Sequence, residues 1–521
     1  MKTLHRRDLT QLETIFKNKL ILFCLILLIF CVIYFPAIFM YYAHHDDLSY
    51  FEREPGLFTR HPFQDLNFAI GRFTGALFET FLSWCVYSVN DLKFIRFLSI
   101  VQFSMCVFGG IVFAQNHRFN AFYAFLLLIS LFTLPPFQVF VSYAGVVCYI
   151  PAIVLSFFAA LTATKVTFDQ GFINSFKNKY ALLSLILLFF AITTYPSAAM
   201  FYWSVAFGIF LIGITKKDKT LTQQIYIHLA IGLSATGMYA LILMSVRRFL
   251  IGGTGGIYNP YVITSNYPEK LSWFIQSPLV QALNLWNIFP NLQHAYSVGA
   301  FIIVSIFIFL LRCRLERKIN PGLVFISVAM LLFLFLLLSF LPNLVAVANI
   351  MWYRCCVGLT SLIFILLVWS GYQWILFFPV KYRQIVTAGL LMFLMLYSFA
   401  RAYDTVFYYR ARPSHMELEY IKTVVKRQQN TDYSLIHIIK PDPKDLKIRY
   451  DEFGILSISF DINISAIIKC AYRELGREGF LYKNNISYSS SEANGEYPKG
   501  DNVLLIDMPA LVQSRIFRGE N

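Results

Sequence analysis

A polytopic α-helical membrane protein with a small C-terminal α/β domain is the fold class this sequence predicts. Three observations carry that reading. Of 521 residues, 57% are apolar and only 14% charged, against roughly 25% charged in an ordinary soluble domain. The apolar residues fall in runs near the length of a bilayer crossing. The last 120 or so residues then change character and become well charged. A soluble globule of this size leaves too much surface wet to hide that apolar content. Disorder is excluded because the chain is far too apolar. The net charge of +15 would point to nucleic acid in a soluble protein. Here it reads as a topology signal, and no nucleic-acid partner is expected.

A hydrocarbon core of about 30 Å needs about 20 apolar residues in a helix. Runs near that length are Leu20–Met40, Phe97–Ala114, Phe119–Leu134, Cys148–Thr164, Ala181–Thr194, Ser197–Ile214, Ile225–Val246, Val298–Leu311, Pro321–Leu341, Cys355–Phe378 and Gln384–Arg401, which makes eleven. The first is too long for a signal-peptide core and lacks a cleavage motif, so it reads as a retained span. Asn67–Val89 is also apolar but carries Arg72 and Glu79. A mid-bilayer charge costs at least about 2.5 kcal/mol, so this segment reads as an amphipathic helix at the interface. With eleven spans and an inner N-terminus, inner segments hold 18 Lys and Arg, and outer segments before residue 401 hold 9. That is the bias expected of positive-inside topology. The C-terminus is then outside.

The membrane part, residues 1–403, includes a first outer loop at 42–96 and a large outer loop at 247–296. Residues 404–521 form the expected α/β domain. There Ser434–Ile439, Ile455–Phe460 and Val503–Ile506 read as strands and Ile462–Leu475 as a helix ending at Gly476. Tyr488–Gly500 reads as a loop. The nine cysteines show no CxxC spacing, and neither a disulfide framework nor a zinc site is implied.

Residues 1–403 hold 13 acids, and seven of them lie between positions 46 and 91: Asp46, Asp47, Glu52, Glu54, Asp65, Glu79 and Asp91. Orientation rules do not require acids there. Carboxylates gathered at a membrane surface mark a candidate active site. The sharpest element is His44-His45-Asp46-Asp47. Two adjacent carboxylates facing a cleft cannot both ionise freely, so one can be raised and act as a base. A solvated helix end is the plain alternative. Spacing does not choose between the two, and Asp47 is only slightly favoured. The histidines admit a divalent cation, but contiguous His-His-Asp-Asp cannot easily converge on one ion. No metal or other cofactor is assigned.

Further candidates surround the pair. Arg60-His61, Arg72, Arg247, Arg248 and Arg354 could hold a phosphate through paired hydrogen bonds, although a snorkelling side chain is common. Glu52 and Glu79 are candidate substrate contacts, as is Tyr353 beside Arg354. Gly252–Gly256 lacks the Lys-Ser/Thr of a phosphate-binding loop and reads as a hinge. Tyr258, Tyr261, Tyr267, Trp273 and Trp286 could stack on sugars or anchor the interface.

Together these features resemble the GT-C class of integral-membrane glycosyltransferases. That class combines an acidic pair after the first span, juxtamembrane helices and about eleven to thirteen spans. Asp46-Asp47, then Gly71-Arg72-Phe73, then the amphipathic stretch to Val89 is similar to the bacterial and phage GtrII-type glucosyltransferases that decorate O-antigen. The match covers about 45 residues, and Phe73 stands where that family often has Trp. The resemblance implies a GT-C-like fold in the bacterial inner membrane, with an N-terminus in the cytoplasm and a C-terminus in the periplasm. It implies a polyprenyl-phosphate sugar donor, with undecaprenyl-phosphate glucose as the expected form, and an O-antigen or other glycan acceptor. It also implies a lipid-sugar synthase and a flippase acting upstream. In this reading Asp46 or Asp47 is the base of an inverting single displacement, and arginines bind the departing phosphate. Two other classes compete. A transporter or flippase of lipid-linked sugar would place ionisable residues inside the spans and carry a repeat. A saccharide polymerase would centre its charge on arginine-rich middle loops.

Overall fold

The computed structural model describes residues 18–51, 67, 70–117, 119–166, 178–216, 220–250, 263–289, 291–317, 321–428, 431–442, 452–454, 456–493, 495, 497–498, 500 and 502–514. It is a helical assembly. Seven of the described helical stretches are long and apolar enough to cross a membrane: Val89–Asn116, Ala144–Ala163, Pro196–Ile214, Leu221–Val246, Leu292–Arg312, Val357–Ile375 and Val380–Arg427. Ala121–Leu131 and Pro135–Ser142 meet at 69° and make an eighth if the bent pair is one span. The bend has a sequence cause, since Pro135 and Pro136 cannot continue the preceding helix. Lys19–Ile33, Lys179–Thr194 and Val328–Leu338 are apolar but shorter. Each of the eleven apolar runs thus coincides with an apolar helix, and seven or eight of them meet the length of a crossing.

Several helices start where an asparagine can satisfy the open N–H groups of the first turn. Asn18 accepts from Leu20 N and Ile21 N, Asn120 from Phe122 N and Tyr123 N, and Asn178 from Tyr180 N. The helices expose large apolar side chains that no soluble fold would leave out, among them Leu28, Phe190, Leu241, Phe307 and Phe393. Such a belt is stable against hydrocarbon and unstable against water. The segment expected at the interface folds as a helix over Phe73–Trp84. It buries Gly75, Ala76 and Glu79 and exposes Leu77, Phe81 and Trp84. Twelve residues rise about 18 Å, too little to cross.

The helix that starts at Val380 runs without a break in helicity to Arg427, changing to a π-turn at Phe407–Ala411. Its 48 residues extend roughly 70 Å, over twice the hydrocarbon thickness. Residue 404 lies inside this helical run.

Beyond it, three strands, β1 (Leu435–Ile439), β2 (Ser487–Ser491) and β3 (Val503–Asp507), form a parallel sheet in the order β2-β1-β3. Leu435 pairs with Ser487 on one side and with Val503 on the other. Parallel neighbours need a crossover, and the helix Ile464–Glu474 lies in the connection from β1 to β2. Gly476 follows that helix at φ +69°, the left-handed conformation glycine tolerates. Two expectations are corrected. Residues 456–460 of the expected strand Ile455–Phe460 do not form one, because Ser457–Ser459 forms a 3-10 turn whose N–H groups point at a buried glutamate. The stretch from Tyr488 is not all loop, because Ser487–Ser491 pairs as an edge strand despite its serines.

Candidate active site at the acidic pair

Residues His45–Phe51 form a 3-10 turn immediately after the first apolar helices, with Asp46 and Asp47 in its first turn. His45 takes φ +34°, a costly conformation for a side chain with a Cβ. It is held from several sides. His45 N–H donates to Ser457 Oγ (3.0 Å), Ser49 Oγ donates to Asp46 O (2.7 Å), and Asp47 N–H donates to His44 O (2.7 Å). Gly145 lies against the turn. A Cβ there would stand 2.6 Å from the Asp46 carbonyl carbon and oxygen, so only glycine permits this approach.

The two carboxylates have different surroundings. Asp47 is 0% exposed. Its Oδ2 pairs with Arg96 and its Oδ1 accepts from Gly145 N (2.9 Å). Burial pushes its carboxyl up, against the pull of Arg96 and the Gly145 N–H. Arg96 is itself fully buried, donates to Tyr42 O (3.0 Å) and lies 3.7 Å over the Tyr42 ring. The sequence reading placed Arg96 at the end of a loop, whereas it stands inside the helix Val89–Asn116.

Asp46 is the accessible member, with a side chain 26% exposed. Its Oδ2 pairs with Arg354 and its Oδ1 lies 2.6 Å from His45 Nδ1. Burial alone would raise its carboxyl, but Arg354 and His45 outweigh burial and hold it well below the usual carboxylate range. The two carboxyls are driven apart by their surroundings, burial on one side and Arg354 with His45 on the other, and the raised member is the one closed to solvent.

Arg354 joins several strands of chain. Its Nε lies 3.2 Å from Glu452 Oε1, its backbone N–H donates to Glu452 Oε2 (3.2 Å), and its guanidinium is 4.4 Å over the Trp352 ring. Glu452 is buried, which pushes its carboxyl up against the pull of Arg354. Tyr143 donates to Glu452 O (3.2 Å). His44 is buried with its Nδ1 2.8 Å from Ser414 Oγ. Burial, with Arg410 second, pushes its pKa well down, so the ring is neutral near pH 7. Residues after 404 thus close the site. Ser414, Glu452 and Ser457 touch it, while Glu474 accepts from Tyr41 and from Val89 N (2.9 Å).

Arg72 and Glu79 belong to an adjoining cluster. Arg72 Nη1 lies 3.4 Å from both Asn67 Oδ1 and Tyr149 Oη, and its guanidinium sits 4.6 Å over the Tyr195 ring. Glu79 accepts from Asn67 Nδ2 (2.5 Å). Tyr149 and Tyr195 stack at 4.8 Å. The two clusters meet at Tyr195, whose hydroxyl is 3.3 Å from Cys355 Sγ and which feels the charges of both Arg72 and Arg354. Gly71, at φ +87°, makes the tight turn before Arg72, where a Cβ would meet Tyr239 Oη at 2.5 Å.

Other candidates take different places. Tyr353 is buried, donates to Ile288 O (2.9 Å) and packs on Phe453, so its hydroxyl is committed to the fold. Trp286 is buried against Phe364 and Tyr397, a core residue and not a sugar platform. Trp273 stacks under Lys270 (4.3 Å), and Lys270 Nζ donates to Ala348 O and Asn349 Oδ1. Arg248 is exposed near the end of the helix Leu221–Leu250, and nothing described brings it to the acidic pair. Glu52, Arg60, His61 and Gly252–Gly256 lie outside the described residues, as does the side chain of Arg247. Among the described residues no three His, Cys, Asp or Glu side chains converge as metal ligands. His44 and His45 face different partners, with ring centres 6.2 Å apart. A small cavity lined by Gln224, His228, Phe335 and neighbours lies between other helices and includes none of these residues.

Sequence reasoning missed Glu452, Arg410, Ser414, Ser457 and Gly145. The arrangement they complete is an exposed carboxylate clamped to a shared arginine, beside buried aromatic rings, at one end of an apolar helical assembly. In it Asp46 is ionised and weakly basic, and Arg354 is shared between two carboxylates. No family model matches the sequence, and no curated protein matches it significantly.

Proposed function

We propose that the protein is a GT-C-like integral-membrane glycosyltransferase with eleven spans, an N-terminus in the cytoplasm and residues 404–521 in the periplasm. It moves a hexose, glucose by the resemblance, from a polyprenyl-phosphate donor to O-antigen or another glycan in the bacterial inner membrane. The observation that carries the proposal is the Asp46–Arg354 pair. A partly exposed carboxylate and a cation with an aromatic neighbour stand together where the apolar helices end. A lipid-linked donor needs that placement, because its tail requires hydrocarbon and its sugar requires water.

In this mechanism Asp46 accepts the proton of an acceptor hydroxyl as its oxygen attacks the anomeric carbon. The bond from that carbon to the phosphate oxygen breaks, and its electron pair leaves with the lipid phosphate. Arg354 and Arg72 offset the charge developing on that oxygen. The anomeric centre inverts. While the phosphate is absent, Arg354 keeps Asp46 ionised and weakly basic. When phosphate draws on Arg354, its hold on Asp46 weakens and the carboxylate regains basicity. Asp47 holds the turn in shape through Arg96 and Gly145.

The experiment is transfer in proteoliposomes from radiolabelled undecaprenyl-phosphate glucose to O-antigen. Labelled product formed by the wild type and lost in Asp46→Asn supports the proposal. Labelled donor that crosses the bilayer unchanged, without product, replaces it with a flippase.

A further inference from the structure

The long helix from Val380 changes register at Phe407–Ala411, where the chain makes a π-turn. Single π-turns inside α-helices cost stability and recur at functional sites, because the extra residue re-aims a side chain. The side chain placed here is Arg410. It is 1% exposed, and its Nε, Nη1 and Nη2 all lack a hydrogen-bond partner among the described residues. Aromatic rings cover its plane, with its Cζ 3.7 Å from the centre of the Tyr143 ring and 5.5 Å from that of Phe453. Aromatic faces fix the plane of a guanidinium and leave its donor edge open.

A buried guanidinium with an empty donor edge is among the most costly arrangements a protein can hold. Its nearest charged neighbours do not relieve it. Glu452 feels the charge of Arg410, but its Oε1 is ion-paired with Arg354 Nε (3.2 Å) and its Oε2 accepts from the Arg354 N–H, and no bond joins it to Arg410. Around Tyr143 lie Arg410, Glu452, Asp46 and Arg354, all acting on the same ring. His44 is neutral and turned to Ser414, so it supplies no counter-charge. Three unpartnered donors on one buried guanidinium fit an anionic ligand.

We propose that Arg410 is the primary phosphate-binding residue of this site, taking two oxygens of a glycosyl phosphate on its unpartnered edge. The identity of that ligand as lipid-linked rests on the glycosyltransferase reading, whereas binding of a phosphate at Arg410 does not. Arg354, already shared between Asp46 and Glu452, is then the second cation and reports the arrival of the phosphate to Asp46.

The test measures thermal unfolding of the full chain in neutral phosphatidylcholine nanodiscs. Undecaprenyl phosphate, undecaprenol and inorganic phosphate are the added probes. Undecaprenyl phosphate should raise the unfolding temperature of the wild type, and undecaprenol should not. A shift by inorganic phosphate as well assigns the site to the anion alone, and a shift only by the lipid assigns it to the headgroup with its tail. Arg410→Met should unfold at the wild-type temperature or above it, since it removes an unpaired buried charge, and should lose the ligand shift. Arg410→Lys keeps the charge but not the paired donors, and should need at least tenfold more ligand. It decides the matter if Arg410→Met is not recovered. Asp46→Asn should lose transfer and keep the shift, which separates this inference from the reaction itself. An Arg410→Met or Arg410→Lys protein that responds to phosphate lipid like the wild type overturns the proposal. So does a wild type that no phosphate probe shifts.

Discussion

Replacing Asp47 by asparagine should damage the fold, whereas the same change at Asp46 should damage only the reaction. Asp47 is fully buried, and its carboxylate is the sole acidic partner of Arg96 among the described residues. Asparagine can still accept the Gly145 N–H at one oxygen. Its amide nitrogen would then face the Arg96 guanidinium, donor against donor. Arg96 would keep only Tyr42 O (3.0 Å) and the Tyr42 ring, while its Nε and Nη1 already lack partners. Removing one member of a buried ion pair costs about 3–5 kcal/mol, because the other is left charged in a poor solvent. Removing both with an apolar replacement costs much less. The double variant Asp47→Asn/Arg96→Met should therefore be more stable than Asp47→Asn alone. Thermal unfolding in detergent, with retention of the monodisperse peak after heating, measures this for all three variants and for Asp46→Asn. An Asp47→Asn protein as stable as the wild type, or a double variant no better than the single one, would refute the structural role given to Asp47.

Three further outcomes follow from the geometry. Gly145→Ala should cost about 1–3 kcal/mol and lower transfer, because the new Cβ meets Asp46 backbone 2.6 Å away; unchanged kinetics would show that the turn can move freely. His44 should make stability fall in acid. Its folded pKa lies well below the ordinary value of about 6.5, so the unfolded chain binds the proton first, and stability should drop as pH falls below about 6.5, by up to about 1.4 kcal/mol per pH unit. Unfolding of His44→Gln across pH 5 to 8 should lack that component, and an identical slope would contradict it. Arg354→Gln should release Asp46 upward, since Arg354 is the main group holding that carboxyl down. Residual transfer should then fail in acid at a higher pH than in the wild type, and a pH–rate profile with no such movement would remove Arg354 as the controlling charge.

The helical, membrane-embedded class was legible because it depends on composition and run length, which a sequence states directly. The amphipathic helix at Phe73–Trp84 was legible because mid-segment charge acts locally, whereas the bend at Pro135 was not foreseen, since Phe119–Leu134 reads as a single span. The site was half legible. Asp46 stood out as an acid in an acid-poor region, and Arg354 as a cation where few were expected. Their pairing, 308 residues apart, has no local signal. Asp46 and Asp47 are neighbours in sequence, and Arg96, 49 residues away in another helix, pairs with the buried one. Glu452 lay in a charged stretch with no local signal, and Ser457 lay in a segment that reads as a strand. The edge strand Ser487–Ser491 was hidden because backbone pairing with β1, and not side-chain propensity, makes it a strand. Arg410 sits amid aromatic residues just past the last apolar run, and that setting was its one sequence signal.

The most direct test of the account is single-turnover transfer by purified protein in proteoliposomes, using undecaprenyl-phosphate carrying radiolabelled glucose with purified O-antigen as acceptor. The account predicts label in the O-antigen with the wild type. With Asp46→Asn it predicts a rate lower by about 10²–10⁴-fold, the usual worth of a positioned base, while the variant unfolds at the wild-type temperature. An Asp46→Asn protein that transfers at the wild-type rate, or a wild type that leaves the label on the lipid, would contradict it.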